Sequence, residues 1–317
     1  MKEISVLDIG NVFIGNAADK DGATGLTVIV CPDGAPCGVD IRGGGPASRE
    51  THLLNPLSAA EKIHAVVLSG GSAFGLDCAG GVMEYLENQG IGFDTGITKV
   101  PLVCTSCIYD LICGDYRCRP DKKMGFEATC NAFERKPLLW GNEGVGTGAT
   151  IGKLSGPAFA LKSGLGSFAL QIGELKVGAV VAVNALGDIY ENGKILAGML
   201  SSDGTFADSA KVIYQNLEPK ENLFTGNTTI GAVITNAEFT KAEMNKIAAM
   251  ASNAYARAIR PVNTTADGDS LYAMSVGTVK ADINVVGTLA ADVMEKAIVN
   301  AVKEAASDYG FKAVRDL

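Results

Sequence analysis

The 317-residue chain is 47% apolar and 20% charged, which is the balance of a folded protein and enough length for one large domain or two ordinary ones. Its net charge of −8 argues against a nucleic-acid partner, and no apolar run reaches the ~20 residues needed to cross a bilayer. The opening MKEISVLDIGNVFIG lacks the apolar core and small-residue cleavage site of a secretory signal, so a cytoplasmic protein without membrane or nucleic-acid partners is expected.

In chain order, residues 25–31 (GLTVIVC) and 38–42 (GVDIR) are short β-rich runs flanking a turn at 32–36, which predicts a hairpin. A polar loop at 43–56 precedes a strand at 63–68, then Ser69-Gly70-Gly71-Ser72 and a helix to about Asn88. Residues 100–111 read as a buried strand and its exit. Cys104, Cys107, Cys113 and Cys118 could form a zinc, iron–sulfur or redox site, or they could be small buried hydrophobes. A strand points Cys104 and Cys107 to opposite faces, which is poor ligand geometry, so no metal or cofactor is assigned.

Residues 141–156 (GNEGVGTGATIGKLSG) are rich in glycine. A phosphate loop needs G-x-x-x-x-G-K-[ST], but Thr147 stands where its first glycine belongs and Leu154 follows Lys153. Runs at 159–172 and 175–189 read as strands. A polar, irregular stretch from about 191 through Lys220-Glu221-Asn222 to Gly226 has a length usual for functional or mobile loops. A buried strand is expected at 230–235. Thr240-Lys241-Ala242-Glu243 is a capping box opening a helix with Ile247, Ala251, Ala254 and Ala258 on one stripe. A strand at 270–276 and a long helix through Val286, Leu289, Val293, Ala297 and Ala301 close the chain. Hairpins mixed with grouped helices favour an α+β fold, two face-to-face sheets between helical layers.

Only two histidines occur, His52 in a loop and His64 inside a strand, and neither H-E-x-x-H nor G-x-S-x-G is present. A hydrolase with this sequence needs a base other than histidine. A hydroxyl residue that becomes N-terminal can use its own α-amine, with a pKa near ~8. Gly226-Asn227-Thr228-Thr229-Ile230, where a long loop meets a buried strand, suits such a residue, but spacing alone favours a polar start to an ordinary strand. Gly226 permits an unusual backbone geometry before the Asn227–Thr228 bond.

Beyond that segment, Arg42-Gly43-Gly44 with Arg49-Glu50-Thr51, residues 68–77 (LSGGSAFGLD), Ile108-Tyr109-Asp110, residues 148–153, Val183-Asn184-Ala185 and Asp267-Gly268-Asp269 occur in order. Together they resemble the L-aminopeptidase D-amidase/esterase family, which includes β-peptidyl aminopeptidases and nylon-oligomer hydrolases. The resemblance spans most of the chain. It implies a single-domain, four-layer αββα sandwich of the DmpA and ornithine-acetyltransferase type, cut at Asn227–Thr228 into residues 1–227 and 228–317 and acting on small peptides or amides. It also implies a homo-oligomer of processed pairs.

By the same resemblance Thr228 is the nucleophile and its freed amine the base. Asn184 presents an N–H to the oxyanion, and Tyr109 positions or polarises the same carbonyl. Lys153 supplies positive charge, and Asp267 and Asp269 hold the Thr228 ammonium or the substrate amine. The chain departs from the family pattern at Asn263-Thr264-Thr265-Ala266, which lacks an aromatic before Asp267, at Asn236, and in the Cys104–Cys118 cluster. An acyltransferase related to ornithine acetyltransferases, an unprocessed inactive relative and a metal or redox protein built on those cysteines remain alternatives.

Overall fold

A computed structural model describes residues 1–215 and 226–317. Two sheets lie face to face. The six-stranded sheet runs in the order Lys2–Ile4, Leu165–Ile172, Leu175–Asn184, Thr228–Ala237, Ser270–Val279 and Cys37–Ile41. The five-stranded sheet runs Phe13–Asp19, Thr24–Ala35, Ile63–Ser69, Val103–Cys107 and Ala47–Arg49.

The period-2 alternation of the central strands builds the layers. From Thr228–Ala237, Ile230, Ala232 and Ile234 enter the core between the sheets, while Val233 and Ala237 face the helices Lys241–Ala251, Asn253–Ala258 and Ile283–Glu304. From Leu175–Asn184, Val180 and Ala182 point inward, and Val177, Ala179, Val181 and Val183 point to the same helices. A third core packs Leu26, Val28, Val30, Ala65 and Val67 against Ala79–Asn88 and Lys122–Phe133. The expected αββα sandwich is the observed one. A strand buried on both faces reads as a continuous apolar run, as 230–234 does.

The capping box at Thr240 forms, with the Thr240 N–H donating to Glu243 at 2.8 Å. The stripe it opens is divided between two helices, Lys241–Ala251 and Asn253–Ala258. The last helix, Ile283–Glu304, carries its expected stripe inward. His64 is a packed strand residue whose Nδ1 accepts the Leu102 N–H at 3.1 Å. Among the described residues no helix is long and apolar enough to cross a membrane.

Three expectations need correction. Thr24–Ala35 and Cys37–Ile41 do not form a hairpin. The first is flanked by Phe13–Asp19 and Ile63–Ser69, so it has no free edge, and the chain turns at Pro36 into the other sheet beside Ser270–Val279. The run 159–172 is broken at Ser163-Gly164, where a Cβ on Gly164 would lie 2.5 Å from the Gly141 carbonyl oxygen. The stretch after 191 is not irregular throughout. It contains the strand Lys194–Ala197 and the helix Ser209–Tyr214, anchored by the buried Asp188 carboxylate, which accepts from Met199 N, Ser209 N and Ser209 Oγ. Lys220-Glu221-Asn222 lies outside the described residues.

Cys104 joins the core between the sheets, whereas Cys107 faces Cys78 on the helical side, so the C-x-x-C pair points into two different layers. Residues 141–156 form a 3₁₀ turn, Gly144–Gly146, and the short strand Thr150–Ile151. Lys162 pins this loop. Its buried Nζ donates to the carbonyls of Gly146 and Ala149, each at 3.0 Å, and of Ser163 at 2.6 Å. Burial pushes the Lys162 pKa down to about 7. The unfolded chain, with an ordinary lysine pKa of 10.5, therefore binds more protons between pH 7 and 10.5, and stability rises with pH across that window. Lys162→Met should lower stability and flatten the rise between pH 7 and 9 by up to about 1.4 kcal/mol per pH unit, read from urea unfolding at several pH values.

Candidate active site

Strand register creates the site. Asn184 ends its strand directly opposite Thr228, which begins the next. Asp267 and Asp269 immediately precede Ser270–Val279, the parallel neighbour on the other side, and Asn227 bridges to Asp267. Tyr109 follows Val103–Cys107 of the second sheet by two residues. One end of the sandwich thus gathers residues from four distant parts of the sequence.

The backbone before Thr228 is unusual. Gly226 has φ +64°, and a Cβ there would lie 2.2 Å from the Tyr109 ring. Both the conformation and the ring contact therefore require glycine. The Asn227 carbonyl oxygen accepts the Gly268 N–H at 2.9 Å and also the Thr228 hydroxyl. Thr228 is only 4% exposed, at the buried end of its strand.

Lys153 lies beneath this turn. Its Nζ donates to the backbone and side-chain oxygens of Asn184, each at 2.9 Å, and to the Gly226 carbonyl at 3.3 Å. Burial pushes its pKa down to about 7, opposed by the charges of Asp267, Asp110 and Asp269. The Asn184 Oδ1 also accepts the Thr150 N–H at 3.0 Å, and its Nδ2 donates to the Tyr109 carbonyl at 2.9 Å. The amide expected to face an oxyanion thus spends one of its two hydrogens on Tyr109.

The two aspartates brace the backbone around Thr228. Asp269 accepts the N–H groups of Thr229 at 2.6 Å and Asn263 at 2.9 Å. Asp267 accepts the Thr264 N–H at 2.8 Å and hydroxyl at 2.6 Å. Burial raises both carboxyl pKa values, and for Asp269 the neighbouring Asp267 charge adds to the rise. Arg42-Gly43-Gly44 and Gly45 wrap this turn: Arg42 N and Gly43 N donate to the Asp269 carbonyl, and Gly45 N donates to that of Asp267. A Cβ on Gly43 would lie 2.3 Å from Asp269 N, so the R-G-G segment must be this small to fit.

All six expected side chains, Thr228, Asn184, Tyr109, Lys153, Asp267 and Asp269, meet at this end, together with Asn227. Sequence reasoning assigned nothing to the Gly268 N–H or to Asp110. A backbone donor leaves no side-chain signature. Asp110 is buried, accepts the Thr24 hydroxyl at 2.6 Å and the Gly71 N–H at 2.7 Å, and is raised to about pKa 6 by its burial. Its place beside Tyr109 in the motif was the available signal. Beside Thr228 opens a pocket of about 210 Å³ lined by small or apolar groups, including Pro46, Ala47, Ala73, Cys107, Tyr109 and Ala266.

The fold is similar to that of a Burkholderia sp. beta-aminopeptidase, with a TM-score of 0.66 and 18% identity over 97% of this chain and 89% of that one. It is also similar to the L-aminopeptidase D-Ala-esterase/amidase of Ochrobactrum anthropi, with a TM-score of 0.62 and 17% identity over 94% and 85%. In sequence the chain is 35% identical to an uncharacterized aminopeptidase of Mycobacterium leprae, over 96% of this chain and 92% of the relative. It is 29% identical to a 6-aminohexanoate-oligomer endohydrolase of Kocuria sp., over 95% and 87%. These relationships define a hydrolase acting on amide or peptide bonds. Residues 5–315 match peptidase family S58, and the chain belongs to that family.

The Gly226 geometry is directly testable. Gly193 also has positive φ, +78°, but a Cβ there would meet nothing within 4 Å. Gly193→Ala should cost about 1 kcal/mol from backbone strain, and Gly226→Ala about 2–3 kcal/mol because the Tyr109 ring must also move. Urea unfolding midpoints of the two variants measure the difference.

Proposed function

We propose that the protein is a self-processing N-terminal-threonine amidase that cuts its own Asn227–Thr228 bond. The observation carrying this reading is the Thr228 hydroxyl hydrogen-bonded to the carbonyl of Asn227, whose oxygen also takes the Gly268 N–H at 2.9 Å. In the first step Thr228 Oγ attacks the Asn227 carbonyl carbon. The Oγ–C bond forms, the C–N bond breaks, and the hydroxyl proton ends on the departing Thr228 nitrogen. The Gly268 N–H is aimed at the oxygen that becomes negative, the arrangement that stabilises a tetrahedral intermediate. Water then hydrolyses the ester, leaving a carboxyl on Asn227 and a free amine on Thr228.

In the processed enzyme Thr228 Oγ attacks a substrate amide, and the Thr228 amine takes its proton and passes it to the leaving amine. Water releases the acyl group by the reverse proton route. The buried Lys153 holds Asn184 in place and supplies positive charge near the developing oxyanion, for which Asn184 is a side-chain donor. Tyr109 positions the carbonyl. Asp267 and Asp269 fix the turn and stabilise the Thr228 ammonium. The products of processing, residues 1–227 and 228–317, remain together because their strands are central neighbours in one sheet. A cytoplasmic oligomer of such pairs, acting on small peptides or amides, completes the reading.

Denaturing mass spectrometry should find two fragments, 1–227 and 228–317, in the purified protein. Thr228→Ala should stay intact and lose at least ~10³-fold in amide hydrolysis, while Thr228→Ser should still process. A Thr228→Ala variant with full activity overturns the assignment.

A further inference from the structure

Asp110 is a buried carboxyl beside Tyr109 to which the proposed reaction gives no task. Two other segments are drawn onto it. One of its oxygens accepts the hydroxyl of Thr24, which begins the strand Thr24–Ala35, and the other accepts the Gly71 N–H. A Cβ on Gly70 would lie 2.1 Å from Asp110 Oδ2, so the backbone of the 69–72 turn runs hard against this carboxylate.

The turn so held is a strained one. Gly71 has φ +79°, and Ser72, which carries a side chain, has φ +54°. The left-handed conformation is disfavoured for a residue with a Cβ and persists only where its surroundings impose it. Here the Gly71 N–H donates to Asp110 at 2.7 Å and the Ser72 N–H donates to the Ile108 carbonyl at 2.9 Å. The Ile108 N–H donates in return to the Ser69 carbonyl at 2.8 Å. Residues 69–72 are thus laced to residues 108–110. Of the three bonds, the one to Asp110 ends on a side chain, which Thr24 steadies from behind at 2.6 Å.

The two laced segments wall the pocket beside Thr228. Ser72 and Ala73 line it from one and Tyr109 from the other. The machinery of attack lies elsewhere, in the Thr228 hydroxyl and the Gly268 N–H that meet at the Asn227 carbonyl. A shift of the turn therefore reshapes the pocket wall without displacing the reacting groups.

We infer that Asp110 is a positioning residue whose two hydrogen bonds fix the Gly71–Ser72 turn as a wall of the substrate pocket, so that it governs how tightly substrate is held rather than how Thr228 reacts. This rests on the proposal that Thr228 is the nucleophile. No bond is made or broken at Asp110, and its role lies in the contacts it makes rather than in its charge.

Two variants of the purified, processed enzyme separate contacts from charge. Asp110→Asn keeps both contacts, its oxygen accepting from Gly71 and its amide donating to the Thr24 hydroxyl, whereas Asp110→Ala keeps neither. Both remove the negative charge felt by Lys153, so a change they share belongs to the charge and a difference between them to the turn. With the amino-acid p-nitroanilide that the wild type hydrolyses fastest, KM should be about tenfold higher in Asp110→Ala than in Asp110→Asn, with kcat alike within about threefold. Self-cleavage at Asn227–Thr228, which needs no bound substrate, should be equally complete in both. Backbone hydrogen exchange across residues 70–74, read by mass spectrometry, should be faster in Asp110→Ala than in Asp110→Asn. Thr24→Val removes only the hydroxyl behind the carboxylate and should raise KM about threefold, which keeps the inference testable if Asp110→Ala does not fold. Equal KM or equal exchange in the two Asp110 variants overturns the inference, as does a wild-type KM in Thr24→Val. Hydrolysis of the p-nitroanilide by Thr228→Ala overturns the nucleophile assignment instead, so the two failures are distinct.

Discussion

A single buried amine joins the parts that otherwise have no reason to meet. Lys153 arrives from the glycine-rich loop, and its three donor contacts reach both oxygens of Asn184 and the carbonyl of Gly226. A lysine at 6% exposure is costly unless its N–H groups are all satisfied. Here the satisfaction is supplied by two different strand ends. Moving either end would strand a buried amine, so the lysine fixes the turn before Thr228 relative to the neighbouring strand. Burial also brings its pKa down to about 7, near which both protonation states coexist. Lys162 repeats the device one layer away on the Gly146 and Ala149 carbonyls, fixing the loop from which Lys153 comes.

The aspartates solve the complementary problem. Two buried carboxyls separated by one glycine repel if both ionise, which is why the Asp267 charge contributes to raising Asp269. Backbone N–H groups offset this by donating to the two carboxylates, that of Thr229 to Asp269 and that of Thr264 to Asp267. Gly268 is then the one residue between them with its N–H turned to the Asn227 carbonyl. A Cβ there would lie 3.0 Å from Thr228 Oγ and 2.9 Å from the Gly45 carbonyl, so the close approach depends on glycine. The D-G-D sequence is therefore one unit in which both acids shape the turn that aims the central N–H.

These relations were legible in the sequence to very different degrees. Alternation and capping chemistry are local, so the Thr240 cap, the buried run after Thr228 and the last helix could be read directly. The partners of Thr24–Ala35 could not, because a strand and a short turn look alike whether the next strand pairs with the first or crosses to another sheet. For Thr228 the residue pattern alone favoured a polar strand start over a nucleophile. The ordered motifs tipped that balance, since R-G-G, S-G-G-S and D-G-D recur where backbones must nearly touch. What no motif disclosed was which atoms do the touching. That Asn184 shares its amide with Tyr109, and that the aspartates face backbone donors, follows from register and turn geometry fixed only by the whole fold.

Size of cavity does not locate the chemistry either. A much larger concavity, about 640 Å³, opens at the opposite end of the same strand, beside Glu238, Phe239 and Lys241. Four of its charged side chains are already committed within the fold. Lys280 pairs with Glu238, Glu243 caps Thr240, and Lys241 donates to the carbonyls of Ser58 and Ala60. The Thr228 pocket, at about 210 Å³, is far smaller, yet it adjoins a hydroxyl, a glycine in the left-handed conformation and a buried amine with a displaced pKa. Convergent polar groups whose ordinary chemistry has been altered by burial are a better guide to reaction than volume. By that criterion the two ends of one ten-residue strand are not equivalent. At one end the fold pairs or caps four of the charged side chains, and at the other it leaves a hydroxyl against a peptide bond.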